Sequence, residues 1–183
     1  MKHKILTGKD LIDFKESANV NKLVYQSYLG IYSPSIFKIE KSPTEPIDRL
    51  LAALIRFGRN NPEVLTKLSF WGDLGRQHEI DEFKEFWQNT PSKKLVKVSG
   101  IVLDLNNDMH LGTIMFRGYT AAKNLASNTS GCVLSASNWI AVIIFCINNN
   151  MAKLIEQVIS EELEANKLDA SLVLSKSWPR LKK

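Results

Sequence analysis

A chain of 183 residues with 44% apolar and 23% charged content has the size and balance of one globular domain. At that length it can bury roughly 70% of the surface its unfolded form exposes, so it needs no disulfide or metal to hold together. A formal charge of +5 permits a weak attraction to nucleic acid or an anionic surface, but residues 1–50 and 51–100 each carry eight basic and six acidic groups, so the excess is spread thinly.

Residues 7–16 read as a short amphipathic helix with Leu11, Ile12 and Phe14 inward. Residues 22–39 are rich in Tyr, Ile and Phe and interrupted by Gly30 and Pro34, a pattern that leaves strands and helix both open. Ser42-Pro-Thr-Glu-Pro46 is a helix-start signal, with Thr44 as N-cap and Pro46 in the first turn. The helix that follows places Ile47, Leu50, Leu51, Leu54 and Ile55 on one face, and Gly58 ends it. Two more short helices are expected, one from Pro62 with Val64, Leu65, Leu68 and Trp71 inward, and one over 77–88 with Ile80, Phe83 and Trp87 inward.

The character changes at Ser92. Residues 95–105 read as a strand, Asn106-Asn107 as a turn, and 109–116 as the returning strand. Over 124–152 there is no charged residue, and the centre of that segment is the apolar run 139–147, from Trp139 to Ile147. A long helix starting near Ser135 or Ser137 is expected there, buried on all sides at first. It continues amphipathically through Met151, Leu154, Ile155, Val158, Ile159 and Leu163. Residues 169–174 read as a last short strand, and the basic residues 176–183 as a mobile tail. The fold class expected is therefore α+β in a single domain, 1–183: a helical N-terminal half, a central β-hairpin and a long, partly buried C-terminal helix.

The chemistry is sparse. Asp104, Asp108 and His110 crowd a nine-residue stretch, and on a strand Asp108 and His110 would share a face as an acid–base pair. A polar hairpin tip explains the same residues. A calcium loop does not, since Met109 and Met115 stand where Gly and Glu are required. His78 and Glu82 share a helical face but lack further ligands, so no metal is expected. Cys132 and Cys146 read as small buried hydrophobes of a reducing compartment, and no signal peptide or spanning helix is visible, which points to the cytoplasm.

Basic and aromatic residues interleave at Arg56 and Arg59, at Arg117 and Tyr119, and at Trp178 and Arg180 with Lys182 and Lys183. Such pairs can stack on bases while neutralising phosphates. The charge-free segment, with Trp139, Ile143 and Phe145, suits a core or an interface depleted of charge. The leading expectation is a non-enzymatic protein-interaction or assembly protein (particle subunit, adaptor, or inhibitor or immunity protein), without cofactor, that binds a protein partner or itself. The alternatives are a nucleic-acid-associated protein and a small hydrolase using the Asp/His cluster.

Overall fold

The computed structural model describes residues 3–31, 33–65, 95–98, 101–104, 108–117, seven helical positions between 135 and 146, 151–176, 178, 179 and 181. Helices dominate. They are α1 (Gly8–Ala18), α2 (Lys22–Leu29), α3 (Ser33–Glu40), α4 (Arg49–Asn60), α5 (Asp108–Ile114), α6 (Ala152–Ala165) and α7 (Ala170–Lys176). The only sheet among the described residues is a two-stranded antiparallel ribbon, β1 (Leu95–Val98) against β2 (Ile101–Asp104), with Leu95 opposite Asp104 and Val98 opposite Ile101.

The α+β expectation is therefore corrected: the chain is mainly helical. No strand returns over 109–116. Both ribbon strands come from the stretch expected to be one strand, and 109–116 contains α5 instead. Thr113, Ile114, Met115 and Phe116 are all buried, so the segment has no polar alternation to mark a half-exposed strand. The strand expected over 169–174 is likewise helix, α7, begun by Asp169, whose carboxylate accepts from the backbone N–H groups of Ser171 and Leu172.

At the N-terminal end, Asp10 accepts from the backbone N–H of Thr7 at 3.0 Å and starts α1, while Asn19 ends it in the left-handed conformation. Gly30 closes α2 with φ 61°, a conformation that costs glycine nothing, and its N–H returns to the Gln26 and Ser27 carbonyls. The ambiguous stretch 22–39 is thus two helices broken by that turn. Asp48, not Thr44, caps α4, through the N–H of Leu50 at 2.9 Å. Pro46 lies instead in an isolated bridge to Thr7, beside a hydrogen bond from Ile47 N–H to the Leu6 carbonyl.

Helix α4 is the centre of the fold. It continues past Gly58, and every residue over 49–58 is buried. A Cβ at Gly58 would lie 2.9 Å from the Phe14 ring and 3.1 Å from Tyr28, so glycine is what lets α1 and α2 approach so closely. Tyr28 donates its hydroxyl to the Leu54 carbonyl at 2.7 Å. The described helical positions of the charge-free segment pack against the same core: Trp139 is fully buried, edge-on to Phe57, and donates its indole N–H to the Ile114 carbonyl at 2.9 Å. Phe116 packs between Trp139 and Trp178, with centroids 5.8 and 5.1 Å away. Helix α6 closes α4 from the other side, with Ile155, Val158, Ile159 and Leu163 inward.

Candidate functional site

Two features of α4 are polar. Arg49 and Arg56 lie two helical turns apart and both face α6. Arg56, only 6% exposed, donates from Nε to Glu162 at 3.3 Å, from a terminal nitrogen to Glu161 at 3.4 Å, and from the other to the Lys4 carbonyl at 2.7 Å. Arg49 Nε lies 3.7 Å from the same Glu162 carboxylate, without a hydrogen bond. Its terminal nitrogens donate to the Pro179 carbonyl and to Asn166 Oδ1. One buried carboxylate thus sits between two guanidinium groups. The arrangement neutralises charge inside the fold and presents none of it to a ligand.

The other sequence-marked arginines among the described residues are also paired. Arg59 donates to the Asp10 carbonyl at 2.9 Å and lies 3.6 Å from its carboxylate. Arg117 forms a 3.0 Å pair with Asp48 at the surface. Trp178 is 9% exposed, with its indole N–H on the Thr113 carbonyl at 2.9 Å, so its ring is engaged within the chain. Tyr119, Arg180, Lys182 and Lys183 lie outside the described residues, as does Phe145. Trp139 and Ile143 belong to the chain's own core.

Asp104 ends β2, Asp108 opens α5 and His110 lies within it. Positions two apart on a helix diverge by about 200°. The shared face that a strand would give Asp108 and His110 is therefore absent. No group of three or more potential metal ligands occurs among the described residues, and His78, Glu82 and Cys132 lie outside them. Cys146 is a free, buried thiol whose pKa burial pushes up to about 12, so it is a poor nucleophile at neutral pH. No helix among the described residues is long and apolar enough to cross a membrane.

No family model, curated protein or solved structure matches the chain.

The surface feature with ligand-facing chemistry lies elsewhere, between α1, α2 and α3. A cleft of about 210 Å³ is lined by Lys15, Lys22, Tyr25, Gln26, Ile36 and Phe37, among others. Ile36 is buried at its floor, while Phe37 is 56% exposed. The Lys41 ammonium sits 4.4 Å over the Phe37 ring. Lys15 is held by Glu40 at 2.7 Å, and Gln26 Nε2 donates to Ser33 Oγ at 2.8 Å, closing the α2–α3 turn. Lys22 makes no ion pair or side-chain hydrogen bond among the described residues, and Glu40, the carboxylate in the cleft wall, is taken by Lys15. Sequence reasoning missed this cleft because 22–39 has no single period. The visible signal is Phe37 beside Lys38 and Lys41, an aromatic residue among cations.

Proposed function

We propose that the protein is a non-enzymatic interaction protein whose docking surface is the α1–α2–α3 cleft, and that its partner is a protein segment carrying carboxylates beside an apolar side chain. The observation that supports this is Phe37, more than half exposed under the Lys41 ammonium, in a cleft that also holds Lys22 without a carboxylate of its own. Full burial of such a ring is worth about 1.5–3 kcal/mol, and Phe37, 56% exposed, leaves about half of that for a partner to recover. The surrounding ammonium groups select against a cationic or neutral partner. Trp139 and Ile143, two of the residues expected at an interface, are buried within the chain itself. Of the cations expected to meet nucleic acid, Arg56, Arg59 and Arg117 are paired with Glu161, Glu162, Asp10 and Asp48.

The test is selection of a displayed random-peptide library on the full chain. Enriched peptides combine Asp or Glu with aromatic or aliphatic residues, bind less tightly as salt rises, and lose binding to Phe37→Ala and Lys22→Glu variants. Absence of enrichment, or enriched peptides indifferent to both variants, overturns the reading.

A further inference from the structure

A second cleft, of about 320 Å³, opens where the first turn of α4 meets the end of α5, and is lined by Asp48, Arg49, Phe116, Arg117, Trp178 and Leu181, among others. Cations outnumber carboxylates in its wall. Both oxygens of Asp48 are engaged, one by the Leu50 N–H at 2.9 Å and one by Arg117 at 3.0 Å. A guanidinium group carries five N–H donors, and its Nε and a terminal nitrogen form an edge that fits a carboxylate bidentately. Arg117, 31% exposed, gives one terminal nitrogen to Asp48, and its other two side-chain nitrogens have no partner among the described residues. Arg49 is a second, buried guanidinium, held by the Pro179 carbonyl and Asn166 and seated over the Trp178 ring. The turn that carries Arg117 is strained. The Arg117 backbone N–H closes α5 on the Gly112 carbonyl at 2.8 Å, and the residue before it, Phe116, holds φ 53°. Helix ends of this form usually take glycine there. Phe116 instead packs its ring between Trp139 and Trp178, so one turn sets both an apolar wall of the cleft and the position of Arg117 beside it.

We propose that this cleft binds a small organic carboxylate, a monoanion with an apolar body. The carboxylate takes the free edge of Arg117, and the body lies against the apolar wall that ends at Leu181. The charges select the ligand. Glu162 approaches Arg49 only at Nε, 3.7 Å away, and does not line the cleft. Arg117 and Arg49 against Asp48 therefore leave a positive excess that suits a single negative charge, whereas a phosphate dianion would bring its second charge up to Asp48. The volume is at the small end of ligand pockets, which suits one ring or a short chain rather than a large cofactor. Arg49 is already fixed by its own partners, so its orientation costs a ligand little to use.

Nitrogen-15 NMR of the full chain, following the Arg117 Nε–H and the Trp178 indole N–H, tests the proposal with phenylacetate as the probe. Both signals are expected to shift saturably in the millimolar range, and Arg117→Gln to weaken binding about tenfold or more. Phenylacetamide has the same body without the charge, inorganic phosphate has charge without the body, and both bind about tenfold more weakly or worse. Asp48→Asn keeps a capping side chain and admits phenyl phosphate, which the wild type rejects, a readout that stands even if Arg117→Gln fails to fold. A free acid and an acidic side chain of a protein share the carboxylate. N-acetylaspartate α-amide carries the second, and is expected to bind more weakly than phenylacetate. Absence of saturable shifts, equal binding of phenylacetamide, tighter binding of the acetylaspartate amide, rejection of phenyl phosphate by Asp48→Asn, or indifference of folded Arg117→Gln overturns the proposal. Phe37→Ala leaves phenylacetate binding unchanged and Arg117→Gln leaves peptide binding at the α1–α2–α3 cleft unchanged, so the two readings fail separately.

Discussion

At the scale of single residues, Glu162 is the most consequential side chain. It is almost fully buried and is approached by Arg56 at 3.3 Å and Arg49 at 3.7 Å. Removing one partner of a buried ionic group strands the other in a medium that cannot solvate it. Glu162→Ala is expected to cost about 3–5 kcal/mol, measured as a fall in the urea midpoint. Arg56 retains Glu161, so the larger share of that cost falls on Arg49. Asp10 gives a pH signature. Burial pushes its carboxyl up, but Lys4 Nζ at 2.9 Å and the Thr7 backbone and hydroxyl outweigh burial and hold it below its usual value. Its folded value is depressed, so its contribution is present above the unfolded value near 3.8 and is lost as pH falls through the folded one. Thermal melts of Asp10→Asn between neutral pH and pH 3 are expected to show a shallower acid decline than wild type. Neither role is legible in the sequence. Glu161 and Glu162 read as the polar face of an amphipathic helix, because helical spacing reports which face is apolar but not which charge is paired beneath it.

At the scale of elements, α4 is the most legible in the sequence, yet its period reveals only half of its burial. Its face of Leu50, Leu51, Leu54 and Ile55 is buried as the period implies, and Ile47, which precedes the Asp48 cap, is buried as well. The opposite face is buried too, where Ala52 and Ala53 lie between Arg49 and Arg56, whose guanidinium groups meet Glu162 of α6. Small residues carry little hydropathy, so a pattern based on large apolar side chains misses them. Helices α1 and α6 are likewise visible, with Leu11 and Phe14 inward in one and Ile155, Val158, Ile159 and Leu163 in the other. By contrast α5 and α7 read as strands, since runs of seven residues are too short to show a diagnostic period and tertiary packing decides their state. A paired truncation tests this ranking. Leu54→Ala, at a fully buried site whose carbonyl also receives Tyr28, is expected to cost about 2–5 kcal/mol. Leu23→Ala, at a site 63% exposed, should change stability by about 0.5 kcal/mol or less.

At the scale of the whole molecule, the core is continuous from α1 to Trp178, through Phe14, Tyr28, Phe57, Trp139 and Phe116. Cys146 sits inside it, fully buried, with its thiol pKa pushed up to about 12. Native alkylation of this thiol therefore requires opening of the core. In a Cys132→Ser background, the modification rate at pH 8 should track global unfolding and accelerate with urea in parallel with the fall in helical circular dichroism. Rapid labelling of folded protein would contradict a continuous core. Only part of this architecture is written in the sequence. The absence of charge over 124–152 gives no sign that Trp139, Val142, Ile143 and Cys146 pack into the same core as α4.

The pairing of α4 with α6 also bears on the order in which the chain is made. Arg56 and its carboxylates are separated by 105 and 106 positions, so the helix that ends up innermost leaves the ribosome well before the groups that neutralise it. At about 5–20 residues per second that interval is roughly 5–20 s. During it, the α4 face that carries Arg49 and Arg56 favours water, while the opposite face, with Leu54 and Gly58, can already meet Tyr28 and Phe14.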